Sequence, residues 1–237
     1  MLKITGLNQS YAQSHTLWDV NMEISEGACI SLIGRNGVGK TTLLNCVMGL
    51  LPVDSGTMTF DGVDLLAEPA ERRASLRIGY VPQGRMIFPL LTVEENLRIG
   101  LGALPAKRPQ IGRGREVPDH VYELFPVLQT MLKRRGGDLS GGQQQQLAIA
   151  RALVLDPTFL ILDEPTEGIQ PNIVTEIGDI ILRLNRELGM TVLVVEQKLP
   201  FVRRVSSRFC IMTKGAIVAD GEMDVLTDGL IQEHLSV

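Results

Sequence analysis

The stretch from Ala28 to Thr41 admits few folds. An apolar strand, Ala28 to Ile33, runs into Gly34-Arg35-Asn36-Gly37-Val38-Gly39-Lys40-Thr41, and the pattern then turns helical with Leu43, Leu44, Val47 and Met48 on one face. A buried strand, a tight glycine turn and an amphipathic helix in that order call for a helix packed on a sheet. The turn matches G-x-x-x-x-G-K-[ST]. Its glycines let the backbone curl so that successive N–H groups point at an anion, and the helix adds its positive end. Gly34, Asn36, Gly37 and Gly39 would then line the phosphates, with Thr42 beside them. Lys40 would reach the β- and γ-phosphates, and the Thr41 hydroxyl would ligate Mg²⁺. A turn serving packing alone does not explain Lys-Thr at these positions.

The rest of the chain fits the same architecture. Short β-type stretches, Leu2 to Ile4 and Leu17 to Ile24, precede the loop; Thr57 to Asp61 and Ile78 to Pro82 follow it. From Thr92 to Ala152 the pattern is helical, broken by a basic Pro/Gly-rich loop, Lys107 to Arg115, with no convincing strand. Strand signals return at Phe159 to Leu162 and Thr191 to Val195, separated by a helix from Ile173 to Leu188. The tail, Phe209 to Met212, Lys214-Gly215, Ala216 to Ala219, reads as a hairpin. Apolar strands alternating with helices call for a parallel sheet covered on both faces. The expected fold is α/β, a single domain over residues 1–237. It has an N-terminal antiparallel β region, a parallel core sheet and a helical lobe inserted at about residues 84–155.

Two more motifs bear on the chemistry. Phe159 to Leu162 leads into Asp163-Glu164-Pro165, which places two carboxylates beyond the carboxyl end of a strand, where open α/β sheets bind ligands. Asp163 suits Mg²⁺, directly or through a bound water, and Glu164 suits polarising an attacking water. Many buried strands end in an acidic turn; the phosphate loop gives this pair its meaning. Leu139-Ser140-Gly141-Gly142-Gln143 opens another helix, running to about Leu155. Ser140 and Gln143 satisfy a capping box without any ligand. Two consecutive glycines, however, weaken a helix start and point to something packed against the backbone, where a helix N-terminus favours an anion.

A formal charge of −4 with no basic stripe opposes nucleic acid as a main partner, because phosphate backbones are met by clustered Lys and Arg. The basic loop reads as solvated, or as touching a membrane surface. The apolar fraction (44%) and charged fraction (21%) are those of a soluble α/β protein. Cys29, Cys46 and Cys210 lie in apolar runs and read as core residues in a reducing compartment, not as a disulfide frame or metal site. No signal segment opens the chain, and no apolar run approaches the ~18 residues needed to span a bilayer. The expectation is a cytosolic protein whose membrane role comes through a partner.

With the phosphate loop, Gln83, Leu139 to Gln143 and Asp163-Glu164 in this order and spacing, the chain resembles an ATP-binding-cassette (ABC) ATPase subunit along nearly its whole length. The resemblance implies a P-loop NTPase with a RecA-like core sheet and ATP and Mg²⁺ as cofactors. It implies Tyr11 stacked on adenine, although Tyr11 also reads as a packed strand aromatic. Gln83 would reach the metal and relay its state to the helical lobe. Two cassettes would face each other head to tail, Ser140, Gly141, Gly142 and Gln143 of one closing over ATP held by the other's phosphate loop. The partners implied are a second cassette, transmembrane permease subunits and, indirectly, a solute-binding protein, at the cytoplasmic face of the bacterial inner membrane.

Thr166 to Pro171 resembles the short cassettes of bacterial uptake systems for branched-chain amino acids and for urea or short-chain amides. Val81 to Arg85 and Ile87 to Leu97 look most like the urea type, since branched-chain relatives often carry Glu at the Gln83 position. The expected function is ATP hydrolysis energising import of a small polar solute, urea or an amide first and a branched-chain amino acid as the alternative. A soluble cassette ATPase remodelling a nucleic-acid or ribosomal complex is the rival, but such chains usually carry two cassettes or a long coiled-coil insertion. A degenerate nucleotide sensor is opposed by intact Lys40, Asp163 and Glu164.

One position departs from the family. Most cassettes place a His after the last core strand to contact the γ-phosphate, whereas Val194-Val195-Glu196 leads here to Gln197. An amide donates a hydrogen bond but carries no proton at neutral pH, so water activation should fall on Glu164, with Gln197 positioning phosphate. The apolar cluster Met86 to Leu91, directly after Gln83, reads as a contact between lobes or as a groove for a short helix of a membrane subunit.

Overall fold

The computed structural model describes residues 1–102 and 116–235; the basic loop Lys107 to Arg115 lies outside the described residues. The chain opens with β1 (Leu2–Tyr11), β2 (Ser14–Ile24) and β3 (Cys29–Ile33), then α1 (Lys40–Val47), β4 (Ser55–Phe60), β5 (Val63–Asp64), the short α2 (Arg72–Ser75) and β6 (Ile78–Val81). A helical stretch follows: α3 (Val93–Gly102), α4 (Asp119–Leu124), α5 (Pro126–Gln129) and α6 (Gly141–Leu153). The alternation resumes with β7 (Phe159–Asp163), α7 (Pro171–Arg186), β8 (Thr191–Glu196), α8 (Leu199–Val205), the hairpin β9 (Arg208–Thr213) and β10 (Ala216–Glu222), and α9 (Asp228–Leu235). Between β6 and β7 the only β pairing among the described residues is an isolated bridge, Thr92 to Arg135.

Two sheets result. Four antiparallel strands run in the order β2-β1-β4-β5, and six run in the order β10-β9-β3-β8-β7-β6. In the second, β9, β3, β8, β7 and β6 are parallel and β10 returns antiparallel to β9. Every residue of β3, β7 and β8 is buried, as expected for strands covered on both faces. Their alternate residues feed two separate cores. Leu160, Leu162, Val192 and Val194 face a cluster with α6 and α7, while Phe159, Ile161, Leu193 and Val195 face one built on α1 and the antiparallel sheet. In α7 the buried positions Ile177, Ile181 and Leu184 recur at helical spacing and supply the stripe that covers the sheet.

The register places the site. Ile33 pairs with Glu196, Asp163 with Val195, and Val81 with Leu162. The carboxyl ends of β3, β6, β7 and β8 therefore come level, and the segments leaving them, Gly34 onward, Gln83, Glu164 and Gln197, leave from one edge of the sheet. Open α/β sheets bind ligands at that edge. Among the described residues no helix is long and apolar enough to cross a membrane.

Candidate functional site

The phosphate loop wraps the start of α1. Gly39 is the N-cap residue, with φ +110°, and no side chain caps the helix. The first-turn N–H groups of a helix have no partner within it. Here they open onto a hollow of about 250 Å³ lined by Thr16, Asn36, Gly37, Gly39, Lys40, Thr41, Thr42, Gln83 and Glu164. Lys40 is buried and its Nζ donates to the carbonyls of Gly34 and Arg35 at 2.7 and 2.8 Å, 3.9 Å from Glu164 Oε1. Burial lowers the pKa of the ammonium, and the carboxylates of Glu164, Asp163 and Glu196 pull it partly back.

Asp163 ends β7 with 1% of its surface exposed. Its Oδ2 accepts from the Thr41 hydroxyl at 3.1 Å, and its buried Oδ1 has no hydrogen-bond partner. Burial pushes the Asp163 carboxyl up to about 6, against the pull of the Thr41 hydrogen bond. A hydroxyl beside a carboxylate with an unmet oxygen is a hard donor set that suits Mg²⁺. Among the described residues no group of three or more His, Cys, Asp or Glu is gathered into a metal cage.

Glu164 adopts φ +48°, an uncommon conformation for a residue with a side chain, and its N–H is anchored to Val195 O at 2.9 Å. Two side-chain amides converge on it. Gln197 Nε2 donates to Glu164 Oε1 at 2.8 Å and to Asn36 Oδ1 at 2.5 Å, joining the phosphate loop to the carboxylate. Gln83 Nε2 donates to Glu164 Oε2 at 3.3 Å and to Glu167 Oε2 at 3.0 Å.

Two expected contributors stand apart from this hollow. Tyr11 ends β1 opposite Ser14, 47% exposed, and is not among the lining residues. Ser140 caps α6 in the capping box that Ser140 and Gln143 permit: Gln143 N–H donates to Ser140 Oγ at 3.3 Å, and Ser140 N–H to Gln143 Oε1 at 3.0 Å. The close packing that the paired glycines signal comes from the chain's own side chains. A Cβ on Gly141 would stand 3.2 Å from Arg85 Nη1, and one on Gly142 would stand 2.9 Å from Ile173. Close packing at these glycines therefore requires no anion, and the helix N-terminus is the feature that favours one.

Three supporting residues, Glu196, Gly215 and Trp18, carry no local sequence signal of their role. Glu196 is 3% exposed, and its oxygens accept from Thr166 N–H and Oγ1 on one side and from Gln197 N–H (2.7 Å) and Lys198 N–H (3.1 Å) on the other. It thus locks the segment after Glu164 to the one carrying Gln197. Gly215, in the β9–β10 turn, donates to Val38 O at 2.8 Å and accepts from Trp18 N–H at 2.9 Å, bracing the phosphate loop against β2. Trp18 is 51% exposed and stacks on His15, ring centroids 3.6 Å apart, flanking Thr16 at the mouth of the hollow. The apparent alternation of β2 gave no sign of that pair.

The family model described as ABC transporter matches residues 17–167. The probable branched-chain amino acid transport ATP-binding protein LivF of Archaeoglobus fulgidus is 36% identical over 228 residues, covering 96% of this chain and 94% of the relative. The high-affinity branched-chain amino acid transport ATP-binding protein BraG of Pseudomonas aeruginosa is 38% identical over 218 residues, covering 92% and 91%. Among solved structures, a dimeric ATP-binding cassette in a post-hydrolysis state, bound to ADP and phosphate, superposes with a TM-score of 0.83 at 27% identity, covering 94% of this chain and 99% of that one. A family match over more than half the chain, on the fold and loop described above, establishes that this protein belongs to the ABC transporter family and is an ATPase coupled to transport.

Proposed function

We propose that the chain powers the import of branched-chain amino acids through separate permease subunits, paired with a second cassette and held at the cytoplasmic face of the membrane by those permeases. The observation that carries the solute is the near full-length likeness to two cassettes named for branched-chain amino acid transport. The preference for urea drawn from residues 81–97 finds no support in the names of those relatives, and the amino-acid alternative takes its place.

In this reading the Gly34–Thr42 loop and Lys40 hold the ATP phosphates, and Thr41 and Asp163, with Gln83 in reach, hold Mg²⁺. The ion, when bound, draws negative charge from the phosphate oxygens. Glu164 orients and polarises water, held in place by Gln197 and by its backbone bond to Val195. Tyr11 meets adenine. The Ser140–Gln143 turn serves a nucleotide held by the second cassette, because its donors cap a helix away from this chain's own hollow. Met86, Phe88 and Leu90 are exposed while Ile87 packs into the core, so the cluster splits into an inward anchor and an outward apolar face for a permease helix.

The test is co-purification of the chain with its membrane subunits and binding protein, followed by ATPase measurement in liposomes. Leucine, isoleucine or valine with the binding protein should stimulate turnover, and urea should not; stimulation by urea alone overturns the solute assignment. Phe88→Asp should retain ATP binding and lose the permeases.

A further inference from the structure

Arg85 lies between two motifs that, on the shared-site reading above, face different nucleotides. It follows Gln83-Gly84 and holds a left-handed backbone, φ +69°, as does Met86 at +45°. Side-chain-bearing residues adopt such angles where the surroundings impose them. The Arg85 guanidinium bridges two elements. Nη1 donates to Gln144 Oε1 on α6 at 3.3 Å, and Nη2 donates to Glu167 O, just past the acidic pair, at 3.4 Å. Gln144 is itself pinned, its Nε2 donating to Gly136 O at 3.3 Å and Leu139 O at 3.2 Å, the carbonyls that lead into Ser140. Gly141 leaves the room that the guanidinium occupies against the first turn of α6.

The far end of the same helix holds the same loop. Arg151 Nη2 donates to Met86 O at 2.7 Å, and its guanidinium stands 5.3 Å over the Phe88 ring. The loop from Gln83 to Phe88 is therefore fastened along α6, while Gln83 reaches Glu164 and Glu167 in the catalytic core.

We propose that Arg85 is a positioning residue for the nucleotide of the opposite cassette: it sets the Ser140–Gln143 turn against the Glu164–Glu167 segment. Arg85 lines no part of the hollow at Lys40, so its loss should spare ATP binding and slow hydrolysis by the assembled pair.

Arg85→Gly separates this role from a structural one, because glycine accepts the left-handed backbone freely. The variant should melt at or above the wild-type temperature and bind a fluorescent ATP analogue with unchanged affinity. Its turnover at saturating ATP should fall at least about fivefold, with KM for ATP little moved. Gln144→Leu should lower turnover similarly, and the double variant should add nothing further. A smaller loss in Arg85→Gly, a parallel loss of ATP affinity, or multiplying effects in the double variant would overturn the proposal. Wild-type turnover per chain that fails to rise with protein concentration refutes the shared site itself. A rising wild-type rate with unaffected Arg85→Gly refutes only the role of Arg85.

Discussion

The Thr41 hydroxyl donates to one oxygen of Asp163 at 3.1 Å, across 122 residues of sequence, and leaves the other oxygen buried without a partner. A buried carboxylate that is half satisfied costs stability unless something else completes it. The folded chain thus carries a charge that Thr41 and Lys40 compensate only in part, at the place where Mg²⁺ would neutralise it.

Asp163→Asn should therefore stabilise the protein measured without nucleotide. Removing a buried charge beside Glu164 should raise the melting temperature by roughly 2–8 °C, the size expected for a gain of 1–2 kcal/mol in a chain of this length. The same variant should lose the further stabilisation that Mg²⁺ adds to ATP. Thermal unfolding with and without Mg·ATP checks both, and a destabilised variant would show that Asp163 is satisfied by the protein alone.

Glu196 should behave oppositely. Its carboxylate accepts from Thr166, Gln197 and Lys198, so Glu196→Ala strands several buried donors. A loss on the order of 3 kcal/mol is expected, about 6–12 °C in melting temperature, together with slower turnover as Gln197 and Thr166 lose their mutual anchor. Calorimetry measures the first and a coupled ATPase assay the second; wild-type melting in Glu196→Ala would remove it from the account.

Gln197 and Glu164 divide the chemistry. Glu164→Gln should lower turnover by roughly a hundredfold to ten-thousandfold with ATP binding retained, the range of general-base loss. Gln197→Ala, which removes a hydrogen bond to the carboxylate without removing the base, should cost about tenfold. Single-turnover kinetics distinguish the two. Turnover retained in Glu164→Gln and abolished in Gln197→Ala would reverse the assignment.

The three thiols supply a pH dependence. Burial raises Cys29 and Cys46 to about 11 and Cys210 to about 12, from 9.0. Below pH 9 they are protonated folded and unfolded alike. Above it the unfolded chain releases protons that the folded chain keeps, so stability falls as pH rises toward 11. Urea unfolding at pH 8, 9 and 10 should show this decline, and replacing all three with alanine should reduce it. Iodoacetamide should label none of the three in the native protein at pH 8.

The legibility of the chain followed the reach of its interactions. The strand–loop–helix at Ala28 to Thr41 and the acidic end of β7 are local patterns, and the structure places them as read. The length of β1 was not visible beyond Ile4, because register shifts between Ile4 and Leu7, and again near Gln9, break the alternation. Paired glycines at 141 and 142 correctly signalled close packing, but the neighbours, Arg85 and Ile173, lie far along the chain in opposite directions. Glu196 was hidden for the same reason: its partners Thr166 and Gln197 are brought together only by the parallel pairing of β7 with β8.

Mixing two inactive variants tests the shared site most directly. Lys40→Ala removes the phosphate lysine and keeps the Ser140 turn; Ser140→Arg blocks the turn and keeps the lysine. If each site is built from both chains, mixed pairs hold one intact site, and an equal mixture should recover about a quarter of the wild-type rate, as random pairing of a two-fold dimer gives. A mixture as inactive as its two components, with dimers shown to exchange, would contradict the account.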